Sequence, residues 1–257
     1  MARRVIFFVV GIMAYGLFLA TVLCCICFVG NLALLKGIDE GAAVPWSQAL
    51  VVDLALIALF GVQHSVMARP AFKRSWQRVI PTPLERSVYV LLSSGCLLLL
   101  FWWWQPLPTP VWDTSGTRVG GALTALYWVG WGMVMASTHL IDHFDLFGLR
   151  QVTLFLRGVE YTPPAFKQPL VYRFVRHPLM LSTLIAFWAT PRMSVGHLVL
   201  AVGMTLYTLI GIAFEEGDLL AAHGVARWGY AGARTQVKPE TNVAPWTESH
   251  AREPNKR

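Results

Sequence analysis

Four groups of ionisable side chains interrupt an otherwise apolar sequence, and each lies at or near the end of an apolar run. Histidine and carboxylate side chains can accept a proton during a reaction, and an arginine at a helix start is suited to binding an anion. Ionisable groups at membrane depth are costly, so these groups predict a functional site. They are His64; His139, Asp142, His143 and Asp145; Arg176, His177 and Pro178; and Glu215, Glu216 and Asp218.

The second group has a spacing that suits proton transfer. His139 and His143 are four residues apart, so on a continuous helix they share one face. We predict that His143 is a general base, and that Asp142 or Asp145 orients it or raises its basicity. His64 is predicted to line the same pocket or to contact the residues that line it. The alternative for this group is a polar cap where a helix meets water, and for His64 an interfacial histidine bonded to a carbonyl.

The third and fourth groups are ambiguous when taken alone. Pro178 at the first turn of a helix fixes the entry angle of the chain, and Arg176 and His177 beside it could bind a carboxylate. A basic patch at the membrane surface would look the same. Glu215 and Glu216 could accept hydrogen bonds from ligand hydroxyls, or could compensate nearby arginines.

The elements that position these groups follow from composition. The chain has 257 residues, of which 55% are hydrophobic and 14% charged, with a mean hydropathy of +0.52, whereas soluble domains carry about 25% charged residues. This excludes a soluble domain, a disordered chain and a coiled coil, and favours an all-α bundle of membrane helices. All four cysteines fall inside predicted spans, so neither a disulfide scaffold nor a zinc site is expected.

Five apolar runs are long enough to cross a bilayer, which needs about 20 residues per helix. They are Val5–Val29, Trp46–Met67, Val88–Trp104, Val119–Ile141 and His197–Phe214. The run Leu179–Thr190 is shorter, and we predict that it forms one arm of a tight helical hairpin with the fifth span. Trp46, Trp104 and Trp112 lie near span ends, where interfacial aromatics are expected.

The net charge of +7 is explained by membrane orientation. With the N-terminus in the cytosol, only Lys36, Arg118 and Arg192 of the 21 basic residues lie on the outer side, as the positive-inside rule requires. We therefore expect contact with anionic lipid rather than nucleic acid. The four polar groups then all face the cytosol, and the predicted location is a bacterial cytoplasmic membrane.

The third and fourth groups together resemble a known pattern. An Arg-His-Pro segment, a short apolar hairpin, a Glu-Glu pair and a polar tail are similar to the isoprenylcysteine carboxyl methyltransferase-like superfamily of membrane methyltransferases. This resemblance implies S-adenosylmethionine as methyl donor. Arg227 stands where the superfamily usually has a tyrosine. The residues that match the cofactor site are Tyr172, Arg176, His177, Pro178, Glu215, Glu216, Leu219, Gly224 and Tyr230.

Three further segments narrow the resemblance. Gln63–Lys73, Pro83–Ser87 and Asp142–Val152 look like the methanethiol S-methyltransferases of that superfamily. With them the resemblance covers most of residues 50–225, and it implies conversion of methanethiol, a small volatile thiol, into dimethyl sulfide. The corresponding division of the chain is residues 1–168 for the acceptor side, residues 169–240 for the cofactor and residues 241–257 as a disordered tail.

Three other functions remain open from the sequence. A related enzyme could methylate a larger acceptor, either an isoprenylcysteine carboxylate or a phospholipid amine. His139 and His143 could be a metal pair, but the remaining histidines form no second box, so no metal site is predicted. A non-enzymatic membrane protein could hold haem between His64 and His143. The sequence leaves the oligomeric state undetermined.

Overall fold

The computed structural model describes residues 1–163 and 177–223, with side chains through residue 214. Within these residues the helices follow one another with two short strands between them. In chain order the elements are α1 (Ala2–Val29), α2 (Trp46–Ala68), α3 (Pro70–Trp76), α4 (Thr82–Trp103), β1 (Pro110–Asp113), α5 (Arg118–Ile141), α6 (His143–Leu146), α7 (Leu149–Arg157), α8 (Pro178–Trp188), β2 (Arg192–Ser194) and α9 (Val195–His223).

The predicted all-α membrane bundle is confirmed. Five helices of the described residues are long and apolar enough to cross a membrane, namely α1, α2, α4, α5 and the part of α9 up to Phe214. Helix α8 is the short apolar arm that the sequence predicted. The side of the membrane that holds the N-terminus stays a prediction.

Two helices extend beyond their apolar runs. Helix α4 begins at Thr82 rather than Val88, because Pro83 lies in its first turn, where a proline costs no helix hydrogen bond. Helix α9 continues past Phe214 to His223. Glu215 and Glu216 are therefore helical residues, although the apolar run ends just before them.

The helices pack against one another in a closed ring. Helix α1 packs against α4, α4 against α2, α2 against α9, α9 against α8, and α8 against α5. Helix α5 returns to α1, because the Tyr127 hydroxyl donates a hydrogen bond to the Ile26 carbonyl oxygen. The described helices thus form one bundle.

The best-packed part of the bundle lies at the end where α1 finishes. The Phe28 ring lies 4.9 Å from the Phe101 ring and 5.8 Å from the Trp104 ring. Trp104 follows the last residue of α4, at the span end where the sequence placed it, and it is only 1% exposed, so its ring packs in the core. Strands β1 and β2 pair antiparallel at the same end and tie the segment after α4 to the turn between α8 and α9.

Polar groups at this end stabilise the end of α4. The Lys36 ammonium donates to the carbonyl oxygens of Trp102 and Trp104, at 2.9 Å each, which satisfies acceptors that a helix C-terminus leaves free. Asp53 is fully buried in α2, and its Oδ1 accepts a hydrogen bond from the Gln105 backbone N–H at 2.9 Å. The Lys36 bonds fasten the segment between α1 and α2 to the end of α4, and the Asp53 bond fastens α2 to the segment that follows α4.

Helices α5 and α8 approach each other closely at Gly130. A Cβ added there would lie 2.8 Å from the Ala186 nitrogen and 3.1 Å from its Cα. Backbone cannot move aside as the end of a side chain can. Only glycine therefore permits this distance between the two helices.

Gly130→Ala tests the close approach. Forcing a methyl group against the α8 backbone should lower the free energy of unfolding by about 1–3 kcal/mol, measured as a lower thermal midpoint in detergent. Gly132→Ala is the matched control on α5, where no described atom lies within 4 Å of an added Cβ. Equal midpoints for the two variants would contradict the packing.

Candidate functional site

The site begins at the turn that ends α5. Asp142 has a φ of +135°, a backbone conformation that residues other than glycine rarely adopt. It closes α5 after Ile141 and caps α6, since its Oδ1 accepts a hydrogen bond from the Asp145 N–H at 3.2 Å. The expectation that His139 and His143 share one continuous helix is therefore wrong. Their rings nevertheless stack, with centroids 4.3 Å apart.

The His143 ring is held by two hydroxyl groups. His143 is buried, with only 5% of the residue exposed. Its Nε2 is 2.8 Å from the Tyr15 hydroxyl of α1, and its Nδ1 is 2.9 Å from Oγ1 of Thr138 of α5. The sequence predicted a carboxylate in this orienting role. The structure gives that role to Tyr15 and Thr138, because the turn at Asp142 directs the ring towards α1.

Aromatic rings enclose the imidazole. Phe147 lies 4.9 Å from it, Phe144 5.5 Å and Phe18 6.3 Å, measured between ring centroids. Burial lowers the pKa of His143, and the neighbouring His139 lowers this pKa further. The ring is accordingly neutral at neutral pH and has one unprotonated nitrogen, as a general base requires.

Asp145 belongs to a separate hydrogen-bonded group. The Tyr161 hydroxyl lies 3.0 and 3.2 Å from its two carboxylate oxygens, and the Gln151 amide donates to Oδ1 at 3.3 Å. The Arg150 guanidinium is 3.7 Å from Asp145 and 3.8 Å from Asp142. Asp145 therefore fastens the segment after α7 to α6.

Burial governs the ionisation of this group. It raises the pKa of Asp145, against the opposing effects of the Tyr161 hydrogen bond and the Arg150 charge. Burial also raises the pKa of Tyr161 to about 12, and the Asp145 carboxylate adds to that rise. The phenol is thus a hydrogen-bond donor at any pH at which the protein works.

His64 lies in a second cluster, built by different helices. Its ring centroid is 5.3 Å from that of Phe60 of α2, 5.1 Å from Tyr89 of α4 and 6.0 Å from Tyr207 of α9. His143, in contrast, is contacted from α1, α5 and its own short helix. The predicted contribution of His64 to the His143 pocket stays a prediction.

The predicted cofactor residues lie partly within the described chain. His177 is the N-cap of α8 and Pro178 lies in its first turn, the helix start that the sequence indicated. Glu215 and Glu216 follow Phe214 on α9, and the Arg69 guanidinium from the end of α2 lies 4.1 Å from the Phe214 ring. Other residues of this set lie outside the described residues, namely Tyr172, Arg176, Gly224 and Tyr230.

Some residues of the site gave no signal in the sequence. Tyr15 and Thr138 lie inside apolar runs, where tyrosine and threonine are ordinary packing residues. Tyr161 lies in a loop, and only the tertiary contact with Asp145 shows its role. Gln151 falls in a segment that the family resemblance had already singled out.

A glycine positions the turn between α6 and α7. Gly148 has a φ of +88°, and an added Cβ would lie 2.8 Å from Ser87 Oγ and 2.9 Å from the Ser87 nitrogen. The turn therefore rests directly on the start of α4. Helix α7 then runs along α1, where the Phe155 and Phe7 rings stack at 5.2 Å.

Comparison with curated proteins shows close relatives along almost the whole chain. The chain is 50% identical over 230 residues to methanethiol S-methyltransferase 2 of Bradyrhizobium diazoefficiens, which covers 90% of this chain and 88% of the relative. It is 46% identical over 248 residues to methanethiol S-methyltransferase of Mycobacterium tuberculosis, covering 96% and 99%.

A more distant relative comes from animals. The chain is 33% identical over 190 residues to nurim of Bos taurus, which covers 70% of each protein. No protein-family model matches the chain, and no solved structure does.

Gly148→Ala tests how the site depends on the turn. The substitution combines a strained backbone with a clash against Ser87, so we expect a lower thermal midpoint and weaker enzymatic activity. Gly116→Ala is the control, because Gly116 also has a positive φ, of +75°, but no described atom lies within 4 Å of an added Cβ. Equal losses in both variants would show that the contact with α4 is unimportant.

Proposed function

The chain belongs to the methanethiol S-methyltransferase family, and we propose that it methylates methanethiol to dimethyl sulfide with S-adenosylmethionine as donor. The identity of 46% along 96% of the chain is the observation that carries this proposal. The buried, neutral His143 supplies a chemical reason that is independent of it.

The reaction needs a base. A thiolate attacks far better than a thiol, yet even a protein thiol has a pKa of about 8.5 and a simple alkyl thiol a higher one. His143 is proposed to accept this proton. Asp142 and Asp145, which lie in the same turn, are proposed to keep the ring in place by shaping that turn. The imidazole nitrogens themselves are bonded to the hydroxyls of Tyr15 and Thr138.

The donor is proposed to bind where α8 begins and the apolar part of α9 ends. The residues proposed to hold it are Tyr172, Arg176, His177, Pro178, Glu215, Glu216 and Tyr230. Helix α8 begins at Pro178, and the backbone N–H groups in the first turn of a helix are suited to a carboxylate. The bound donor supplies a methyl group on a positively charged sulfur.

The surroundings of His143 favour a small acceptor. Three phenylalanine rings lie within 6.3 Å of the imidazole, and Thr138 and Tyr15 occupy its nitrogens. An apolar thiol of one carbon suits such a site, whereas a lipid-linked acceptor needs a wide lateral opening. His64 is proposed to line the approach from the α2 side.

The protein is an integral, multi-pass membrane protein, and we propose that the site faces the cytosol. The end of the bundle that holds His143 also holds Arg3 and Arg4 at the start of α1, and Lys73 and Arg74 of α3. Basic residues accumulate on the cytosolic side of membrane proteins. The donor is a water-soluble metabolite that reaches this side, and the thiol can enter through the membrane.

Labelled methyl transfer tests the proposal and the division of roles. Wild-type protein supplied with methanethiol and methyl-labelled donor should release labelled dimethyl sulfide into the headspace. His143→Ala should lower kcat by about 10²–10⁴-fold with little change in donor affinity, measured by calorimetry. Glu216→Ala should mainly weaken donor binding. Loss of donor binding alone in both variants would contradict these roles.

The pH dependence follows from the lowered pKa of His143. Protonation removes the base, so kcat/KM should fall as pH drops through this pKa, below about 6.5, and should level off above it. Without the base, the rate should track the thiolate fraction of the substrate. The His143→Ala profile should therefore keep rising up to at least about pH 9. Parallel profiles would exclude His143 as the base.

A further inference from the structure

Both nitrogens of the His143 ring already have partners inside the protein. Nε2 lies 2.8 Å from the Tyr15 hydroxyl and Nδ1 lies 2.9 Å from the Thr138 hydroxyl. The residue is 5% exposed. A thiol can therefore reach neither nitrogen directly without displacing one of these hydroxyl groups.

The hydrogen bonds of Thr138 determine which nitrogen carries the ring proton. A threonine hydroxyl has one proton to donate, and Oγ1 of Thr138 donates it to the Met135 carbonyl oxygen at 2.8 Å. Oγ1 must then accept from Nδ1–H of His143. In a neutral ring this leaves Nε2 bare, so the Tyr15 hydroxyl donates its proton to Nε2.

From this arrangement we propose that Tyr15 is a catalytic residue, which takes the proton of the acceptor thiol and passes its own to His143. This inference rests on the proposed function. A hydroxyl oxygen that donates one hydrogen bond still has lone pairs to accept another. Tyr15 is half-buried and its hydroxyl contacts Nε2 of His143. A thiol that binds next to this hydroxyl can therefore pass a proton to the enclosed imidazole through the phenol oxygen.

The proton balance of the relay is complete. The S–H proton moves to the Tyr15 oxygen while the Tyr15 proton moves to Nε2 of His143. The sulfur electron pair forms the new S–C bond, and the C–S bond of the donor breaks with its pair remaining on the leaving sulfur. Tyr15 ends neutral, His143 ends as imidazolium and releases its proton to solvent, and no other reactant is needed.

The relay leaves no charge on the Tyr15 phenol. The phenol gains a proton from sulfur as it loses one to the imidazole. The Tyr15 and His143 rings make a T-shaped contact, with centroids 5.6 Å apart, which holds the hydroxyl next to Nε2.

Tyr15→Phe is the decisive variant, because it removes the hydroxyl and keeps the ring. We expect kcat for dimethyl sulfide formation to fall by about 10²-fold or more, while donor affinity stays at the wild-type value. The thermal midpoint should fall modestly, because Nε2 of His143 loses its hydrogen-bond partner. The pH profile should acquire the continuous rise expected of His143→Ala. Tyr127→Phe is the matched control, since it removes another phenol hydroxyl that joins α5 to α1, and it should keep the wild-type profile.

The double variant Tyr15→Phe/His143→Ala separates a relay from a structural role. If both residues act in one proton transfer, the double variant should be no slower than His143→Ala alone. A kcat for Tyr15→Phe within about threefold of wild type would overturn the relay. So would multiplied losses in the double variant, or a lower thermal midpoint with an unchanged pH profile, which would mark Tyr15 as a packing residue.

An NMR measurement without methanethiol tests the proton relay separately from the proposed enzymatic reaction. In ¹⁵N-histidine NMR spectra of the whole protein, His143 is assigned by its loss in His143→Ala. We expect a neutral ring protonated on Nδ1, with an Nε2 shift that changes in Tyr15→Phe. A ring protonated on Nε2 would overturn the relay even if the protein makes dimethyl sulfide. A wild type that makes none would refute the proposed function, whatever the spectrum.

Discussion

The buried imidazole of His143 is the constraint on which the arrangement of this end of the bundle depends. A polar ring can be buried only if its nitrogens are hydrogen-bonded, and here one partner comes from α1 and the other from α5. Helix α5 must therefore end before His143, and the chain must turn back towards α1. The unusual backbone of Asp142 makes that turn, and α6 and α7 follow from it.

The two ends of the bundle have different roles: one stabilises the packing of the helices, and the other holds the candidate site. One end has the aromatic core around Phe28, the paired strands, and the bonds from Lys36 and Asp53 to the end of α4 and the residue that follows it. These contacts hold the helices in register. The other end carries His143, Asp142 and Asp145, and its short helices and positive-φ turns position side chains rather than fill a core. This packed end thereby supports the site, where precise geometry matters.

Much of the fold could be predicted because the membrane imposes it. A spanning helix must satisfy its own backbone hydrogen bonds over a fixed thickness, so apolar length alone located all five spans and the short arm. The identity of the residues around His143 could not be predicted. Helical spacing placed His143 beside His139, and the two rings do stack, but α5 ends at the positive-φ residue Asp142 and the ring nitrogens bind Tyr15 and Thr138 rather than a carboxylate.

The sequence by itself determined the class of protein, the number of spans, the family and the histidine that is the best candidate base. Those conclusions depend on composition and local pattern, which can be read without any knowledge of the tertiary contacts. Only the tertiary structure decided that Trp104 is core, that Asp145 binds Tyr161 and that Tyr15 contacts His143. Tyr15 and His143 are 128 residues apart. Such a contact is set by how α1 and α5 pack, because no local propensity encodes a distance between two helices.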